Sequence, residues 1–392
     1  MSEWKRVKLG DCVEEVNERT TENNQYEVLT SSKSGIYSQE EYFDKQVASK
    51  DNTGYKIIKK GQFTYRSMSD NGIFTINRLE NKDIGIVSPA YPVFEAININ
   101  AEYLRYFFQS EGFRKAIYNL SQGSTRTALK YRDLSNIEIL LPPIKEQEKI
   151  VGILNNADKI IKKIEINIKD VEKMKQLVIK KCIYEGKMNC KKQKLGDLCK
   201  IYGRIGYRGY TVKDIVGKEQ NGAISLSPGN IVNNKLFLER ENTYISNSKY
   251  EESPEIKIFN GDIIFVKTGS SYGKVAIVEG LKEKATLNPQ LVVLKDIICD
   301  SRLLSEILGT RYVKKQVDKC ISGGIVPTLT QKEMESYKIY IPKTKEEQLK
   351  LSNFTKKCDI KIQKLQELKK EYIKIKEALM QKLLTGKVRV KI

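Results

Sequence analysis

The chain has 392 residues, more than one typical core takes up, so two domains with connecting elements are expected. Its 69 Lys and Arg against 49 Asp and Glu leave a formal charge of +20, which points to a polyanionic partner with nucleic acid first, although 55 of those cations are Lys, as an AT-rich genome would also produce. The complete absence of His removes the commonest general base, the commonest zinc ligand and every Ser-His or Cys-His dyad. Seven Cys without a CxxC pair fit reduced thiols better than a disulfide framework or a metal site. No apolar run of 18 residues occurs and none follows the basic start, so neither a membrane span nor a signal peptide is expected, and the protein is placed in the cytoplasm.

In chain order, Leu9-Gly10-Asp11 opens a mixed segment of short β-rich runs, Gly, Asn and Ser turns and short helical patterns. Ile57–Phe63 reads as an apolar strand broken by a turn, and the loop from Tyr65 to Gly72 follows it. Then come Ser88-Pro89, Leu104, and a Gly-Ser-Thr-Arg loop at 123 to 126. Pro142-Pro143 closes the segment, because Pro favours the first turn of a helix and blocks continuation from before it. Beyond it Ile150, Leu154, Ala157, Ile161, Ile164, Ile168 and Val171 step alternately by four and three, the spacing of a coiled-coil seam.

The second half restates the first. Leu195-Gly196-Asp197 repeats the opening, and Lys257–Ile263 repeats the apolar-plus-turn segment 200 positions on. At the same offset Asn288-Pro289 answers Ser88-Pro89, Leu304 answers Leu104, Gly323 answers Gly123, Leu329 answers Leu129 and Pro342 answers Pro142. Between the opening turn and Gly261 this copy is 14 residues longer, an insertion placed at about 200 to 255 where loops differ. The strands Gly-Asp-Ile-Ile-Phe-Val (261 to 266) and Gln-Leu-Val-Val-Leu-Lys-Asp-Ile (290 to 297) belong to this half. A second seam runs Leu351, Thr355, Cys358, Ile362, Leu365, Lys369, Tyr372, widened by Phe354, Leu368 and Ile375. Both helices are expected to end before a Gly, at Gly186 and Gly386. At 1.5 Å per residue each helix is roughly 60 Å long.

The fold expected is therefore mixed α/β (α+β): two similar globules, 1–142 and 193–342, separated by long helices at 143–192 and 343–392. Pairing of the two seams as an antiparallel coiled coil is preferred over packing of each helix on its own globule. Such a repeat has approximate two-fold symmetry, as B-DNA does, so each globule can read one half of a gapped, asymmetric site.

Cations, hydroxyls and flexible Gly suit both phosphate grip and base-edge hydrogen bonds. The candidate DNA contacts are Arg66, Ser67, Ser69 and Asn71 in the first loop and Lys267, Thr268, Ser270, Ser271, Tyr272 and Lys274 in its counterpart. A third group is Ser124, Thr125 and Arg126 with Lys130 close behind. Arg66 and Arg126 lead, because the chain holds only 14 Arg and a planar fork suits guanine or phosphate. No catalytic or metal site is assigned. Gly269–Val275 is one residue short of a P-loop and lacks Ser or Thr after Lys274; Asn288-Pro289-Gln290-Leu291 lacks the second Pro and the aromatic of an amino-methyltransferase; Pro254-Glu255-Ile256-Lys257 lacks an upstream Asp of a nuclease.

The layout resembles the specificity subunits of Type I restriction-modification systems. The resemblance is carried by Trp4–Asp11, by Gly261–Val266, by Gly123–Arg126, by Leu141–Ile150 and by Ile341–Gln348 with the helix ending Leu383-Leu384-Thr385-Gly386-Lys387. It implies target-recognition domains for the globules and a helical spacer that docks two methyltransferase subunits, with the Glu146-Gln147 and Glu347-Gln348 turns at the docking edge. It implies no cofactor on this chain: S-adenosylmethionine belongs to the methyltransferase partners, and ATP and Mg to any restriction subunits that join. The second copy departs from the first where Gly-Gly-Ile-Val-Pro-Thr stands in place of Gly-Ser-Thr-Arg-Thr-Ala. A stand-alone nuclease or methyltransferase and a coiled-coil scaffold are the competing readings; the first would need a cofactor or metal constellation, the second no duplicated basic globules.

Overall fold

The computed structural model describes residues 3–43, 50–69, 72–120, 127–184, 189–320 and 328–391. Contacts divide the chain into two compact units, Met1–Ile166 with Gln366–Ile392, and Asn167–Leu365. This differs from a division into four segments, and the cause is burial. In the first unit Ile150, Val151 and Leu154 of one long helix and Met380, Leu383 and Leu384 beside the end of the other enter the same core as Phe94 and Leu104. In the second, Ile179 and Leu351 join the core of Leu294 and Leu304. Each unit thus takes part of both long helices, Ile144–Tyr184 and Lys345–Leu383.

Both units follow one plan. In the first, strand Lys5–Lys8 pairs antiparallel with Glu138–Leu141, the strand that precedes the long helix. The Leu9-Gly10-Asp11 turn is fixed by the Leu9 amide donating to the Ile137 carbonyl at 2.8 Å and the Lys8 amide donating to the Asp11 carboxylate at 3.1 Å. A four-stranded sheet follows in the order Val13–Glu15, Val93–Ala96, Phe63–Thr64, Asn77–Arg78. Phe63 and Phe94 stack with ring centroids 5.5 Å apart, and Phe108 meets both edge-on. The helix Ala101–Gln109 that covers them starts at Asn100, whose side chain accepts the amides of Glu102 and Tyr103.

The second unit repeats each step. Strand Cys190–Lys194 pairs with Lys338–Pro342, and the sheet order is Lys200–Gly203, Leu291–Lys295, Ile263–Val266, Val275–Ile277. Phe94 faces Phe63 in one unit and Leu294 faces Ile263 in the other, so the offset of 200 holds within the cores. The inserted stretch is more than variable loops: Ile215–Val216, Tyr244–Ile245 and Ala223–Leu226 make a further sheet that pairs in parallel with Ala285–Leu287.

Within the first unit the helix segments run antiparallel: Asp158 pairs with Lys376 at 2.6 Å and Glu165 with Lys369 at 2.7 Å, seven residues forward on one helix for seven back on the other. Within the second, Val171, Cys358 and Ile362 are buried together with Ile168 and Phe354 beside them, and Lys175 pairs with Asp359 at 3.0 Å. Seam pairing and packing on the globules therefore coexist. Gly386 takes φ +70° just past the second helix, as a C-terminal glycine does; Gly186 lies outside the described residues.

Candidate nucleic-acid interface

One end of each sheet gathers the polar segments. In the first unit the strand Phe63–Thr64 leaves the sheet through Tyr65 and Arg66 and pairs again at Met68–Ser69 with Thr127–Ala128. Tyr65 is buried beneath this exit and donates its hydroxyl to the Leu129 carbonyl at 3.3 Å, while the Leu129 amide donates to the Ser67 carbonyl at 2.9 Å. Arg66 is exposed, Ser67 and Ser69 are half-buried, and the Ser69 hydroxyl donates to the Ile73 carbonyl at 2.9 Å. Lys130 is exposed at the start of helix Tyr131–Ser135. Asn71, Ser124, Thr125 and Arg126 lie outside the described residues.

In the second unit the same exit begins at Lys267, whose amide donates to the Gln290 carbonyl and whose carbonyl accepts from Leu329, both at 2.9 Å. Thr268 bridges to Thr328. Gly269 and Gly273 take φ +96° and +82°, which closes the loop as a hairpin in which the Gly273 amide reaches the Val266 carbonyl. Ser270 and Lys274 are exposed, and Thr268 and Ser271 are half-buried. Tyr272 is less free than its loop position suggests: the Lys314 ammonium lies 3.5 Å from its ring centroid, and its hydroxyl donates to Asp318 at 3.2 Å.

Lys267 is half-buried, and its ammonium has neither a carboxylate nor a hydrogen-bond partner among the described residues. Burial pulls its pKa below the ordinary lysine value. A cation in that position gains more from an incoming phosphate than one already solvated or paired. A Cβ added at Gly203 would stand 3.4 Å from the Gln331 amide nitrogen and 3.5 Å from the Lys267 ammonium, so the strand Lys200–Gly203 ends against the same group. Gln331 was missed in the sequence; a glutamine remote in the chain carries no signal until the fold brings it to the end of the sheet beside Gly203.

The first unit places Ser67 where the second has Lys267, and the exposed Arg66 where the second has buried Val266. The two edges share a backbone and differ in which position carries the charge.

Three of the four residues expected at a docking edge are buried. Glu146 is 0% exposed and accepts from Arg389 at 2.8 and 2.9 Å, from the Trp4 indole at 3.1 Å and from the Val390 amide at 3.2 Å; the Arg389 hydrogen bond foremost holds its carboxyl below the usual range. Gln147, 2% exposed, accepts from the Asn100 amide and donates to the Pro142 carbonyl, both at 2.8 Å. Gln348 does the same with Asp300 at 3.0 Å and Pro342 at 2.8 Å. These three side chains staple the start of a helix to its own globule and offer no surface to a partner. Glu347 is half-buried and accepts from the Thr344 hydroxyl at 2.9 Å.

The decoys are structural as well. Asn288 accepts from the Gln290 amide in a turn, Glu255 pairs with Arg208 at 3.6 Å and Lys257 with Glu251. Burial pushes the Cys199 and Cys299 thiols up to about 12, the reverse of an activated nucleophile. Among the described residues no group of three His, Cys, Asp or Glu could hold a metal ion, and no helix is long and apolar enough to cross a membrane.

The sequence model of the Type I restriction modification DNA specificity domain matches residues 1–171 and again 188–370. The chain belongs to this family. It is 25% identical over 323 residues to the Type I restriction enzyme MjaVIII specificity subunit of Methanocaldococcus jannaschii, covering 78% of this chain and 75% of that protein. To the putative MjaX specificity subunit of the same organism it is 26% identical over 297 residues, with 74% and 67% covered. In fold it is similar to a chain from a type I R-M system solved for its complex assembly and conformational transition, with TM-score 0.63, 16% identity and 99% of both chains covered. The Type-I restriction-modification S subunit from M. genitalium gives TM-score 0.53 at 14% identity over 97% of this chain and 96% of that one. The function of this family member is DNA recognition in a type I restriction-modification system, as a specificity component rather than a catalytic one.

Proposed function

We propose that each unit reads one half of a bipartite, gapped and asymmetric duplex site through the sheet end that carries Arg66 in the first unit and Lys267 in the second. The observation that carries this is the repeated sheet end with its cation moved by one position: one backbone frame, two different contact patterns. The long helices set the gap between half-sites and dock two methyltransferase subunits, which bring S-adenosylmethionine; restriction subunits that join bring ATP and Mg, and the assembly works in the cytoplasm. With Glu146, Gln147 and Gln348 buried, docking falls to the exposed apolar side chains of the helices, Ile160, Ile166 and Ile375 in the first unit and Met174, Leu177 and Ile360 in the second.

The test uses the full chain and the duplex it selects from a randomised pool, with anisotropy read on probes altered in one half at a time. Arg66→Ala weakens or relaxes one half-site by about 1–3 kcal/mol and leaves the other unchanged, whereas Lys267→Ala, which removes a phosphate contact, weakens binding to every probe alike and lowers the salt dependence. Equal losses at both halves from Arg66→Ala, unchanged binding in Lys267→Ala, or no preferred duplex for the unmodified chain, would overturn the reading.

A further inference from the structure

The inserted stretch of the second unit holds a feature that the internal repeat does not account for. Beyond strand Lys200–Gly203 the chain makes a short 3-10 turn, Gly206–Arg208, flanked by Ile205 and Gly209. Tyr207 at its tip is 82% exposed. An aromatic ring left in water forgoes burial worth about 2 kcal/mol, which is unremarkable in a floppy loop. Here the loop is held at both ends.

The holding group is Arg204, 6% exposed. Among the described residues its guanidinium pairs with no carboxylate. It donates instead to the Leu287 carbonyl at 2.9 Å, to the Thr286 hydroxyl at 3.1 Å and to the Arg208 carbonyl at 3.2 Å, and it lies 5.4 Å from the Tyr210 ring centroid. Tyr210 is in turn fixed by the Ser225 hydroxyl at 2.9 Å. Burial depresses the Arg204 pKa, the mark of a cation kept out of water without a full counter-charge. The result is a rigid base from which Tyr207 and the half-buried Arg208 stand out, the guanidinium of Arg208 lying 5.7 Å from the Tyr207 ring centroid. Among the described residues the first unit has no such turn: past Val13–Glu15 the Val16 amide returns to the Val93 carbonyl, and Arg19 donates to the Gly54 carbonyl.

The tip springs from the sheet end already described. Gly203 faces Val292 on the central strand beside the Leu291–Val266 pair, and the Lys267 ammonium lies against Gly203. A duplex whose phosphate meets Lys267 therefore lies next to the root of the tip. Exposed ring and flanking Gly suit a base step, where the ring stacks on or wedges against bases and Arg208 exchanges its partly exposed pairing with Glu255, at 3.6 Å, for a base edge or a phosphate. Ile205 and Val212 are exposed on the same stretch, at 40% and 84%, so a protein contact is one outcome of the test.

We propose that Tyr207, presented by the Arg204-anchored turn and assisted by Arg208, is a base-contacting, specificity-determining residue of the second half-site, with no equivalent in the first unit. This rests on the proposed reading of duplex DNA by the sheet ends, so the experiment separates the two. The full chain and the duplex it recovers from a randomised pool are used, with probes permuted at each position of each half. Tyr207→Ala lowers affinity about tenfold and flattens discrimination at one or two adjacent positions of the second half only, while Tyr207→Phe, which keeps the ring, retains the preference. Because the side chain stands in solvent, the melting temperature stays at the unmodified value and misfolding cannot mimic the loss. Unchanged affinity and discrimination in Tyr207→Ala, with the unmodified chain still selecting its duplex, overturns this proposal and spares the half-site reading. Loss of methyltransferase-subunit assembly with DNA recognition intact also overturns it, assigning the tip to a protein contact. Failure of the unmodified chain to select any duplex removes both.

Discussion

The first and second units carry the same sheet order, the same opening turn and the same glutamine staple, yet they differ at two places that matter. At the sheet end the first shows an exposed Arg66 and the second a half-buried Lys267. Where the long helix meets the globule, the first unit has Tyr106, which donates to Asp158 at 2.6 Å, and the second has Glu306, paired with Lys175 at 2.6 Å. Duplication preserved what holds a unit together and left free what faces outward or what a neighbouring charge can offset. The lesson is physical: backbone pairing and apolar burial tolerate few alternatives, whereas a polar site accepts any set of groups that satisfies its own charges.

The largest effect should come from the shared part. Phe94 and Leu294 occupy the same place in the two sheets and both are fully buried. Truncation of either to Ala costs about 3–5 kcal/mol through lost burial and the cavity left behind. Calorimetry should show each substitution lowering the melting of its own unit first; one transition that moves as a whole for both would show that the helices fuse the two into a single cooperative block.

Next in size is the polar difference at the helix. Burial above all raises the Glu306 carboxyl, and the Lys175 ammonium works against that rise. A carboxyl whose folded pKa lies above its unfolded value binds more protons when folded, so stability falls as pH climbs from the ordinary carboxyl value through the raised one. Lys175→Met removes the opposing charge, raises Glu306 further and costs about 3 kcal/mol at neutral pH. Melting temperatures taken at pH 5 and pH 8 should therefore diverge from the unmodified chain as pH rises. Lys376→Met in the first unit is the control, because the phenol of Tyr106 stays protonated throughout and its deficit stays level. A pH-independent deficit for Lys175→Met would mean that Glu306 does not carry the strain.

Much of this was legible in the sequence because it rests on covalent order. The offset from Leu104 to Leu304 holds in the two cores, and Val171, Cys358 and Ile362 of the two seams are buried together, while Ile150 and Leu154 are buried in the globule core instead. The seam failed as a guide at Lys369, which sits at an apolar position and pairs with Glu165 instead. Glu146 and Gln348 read as surface because charged residues at a helix start usually are; only tertiary structure turns that start into the globule, where Arg389 from the far end of the chain and the amide of Asp300 wait. Tyr207 could not be found by repeat, since it has no twin, and exposure is a property of the fold rather than of the residue.

The smallest effect concerns how the first unit is closed. After the second long helix the chain reverses at Gly386 with φ +70°, the Val388 amide reaching back to the Lys382 carbonyl at 3.1 Å, and this reversal carries Arg389 to the buried Glu146. An Ala there is strained in the left-handed region, and its Cβ would stand 3.4 Å from the Trp4 ring. The ring is partly buried against the core and has room to yield by a few tenths of an ångström, so the backbone term dominates at about 1 kcal/mol. Gly386→Ala should lower the melting of the first unit by a few degrees, leave the second untouched and leave both half-sites read as before. Destabilisation of the second unit by the same amount would show that the terminal reversal braces more than the unit to which it belongs.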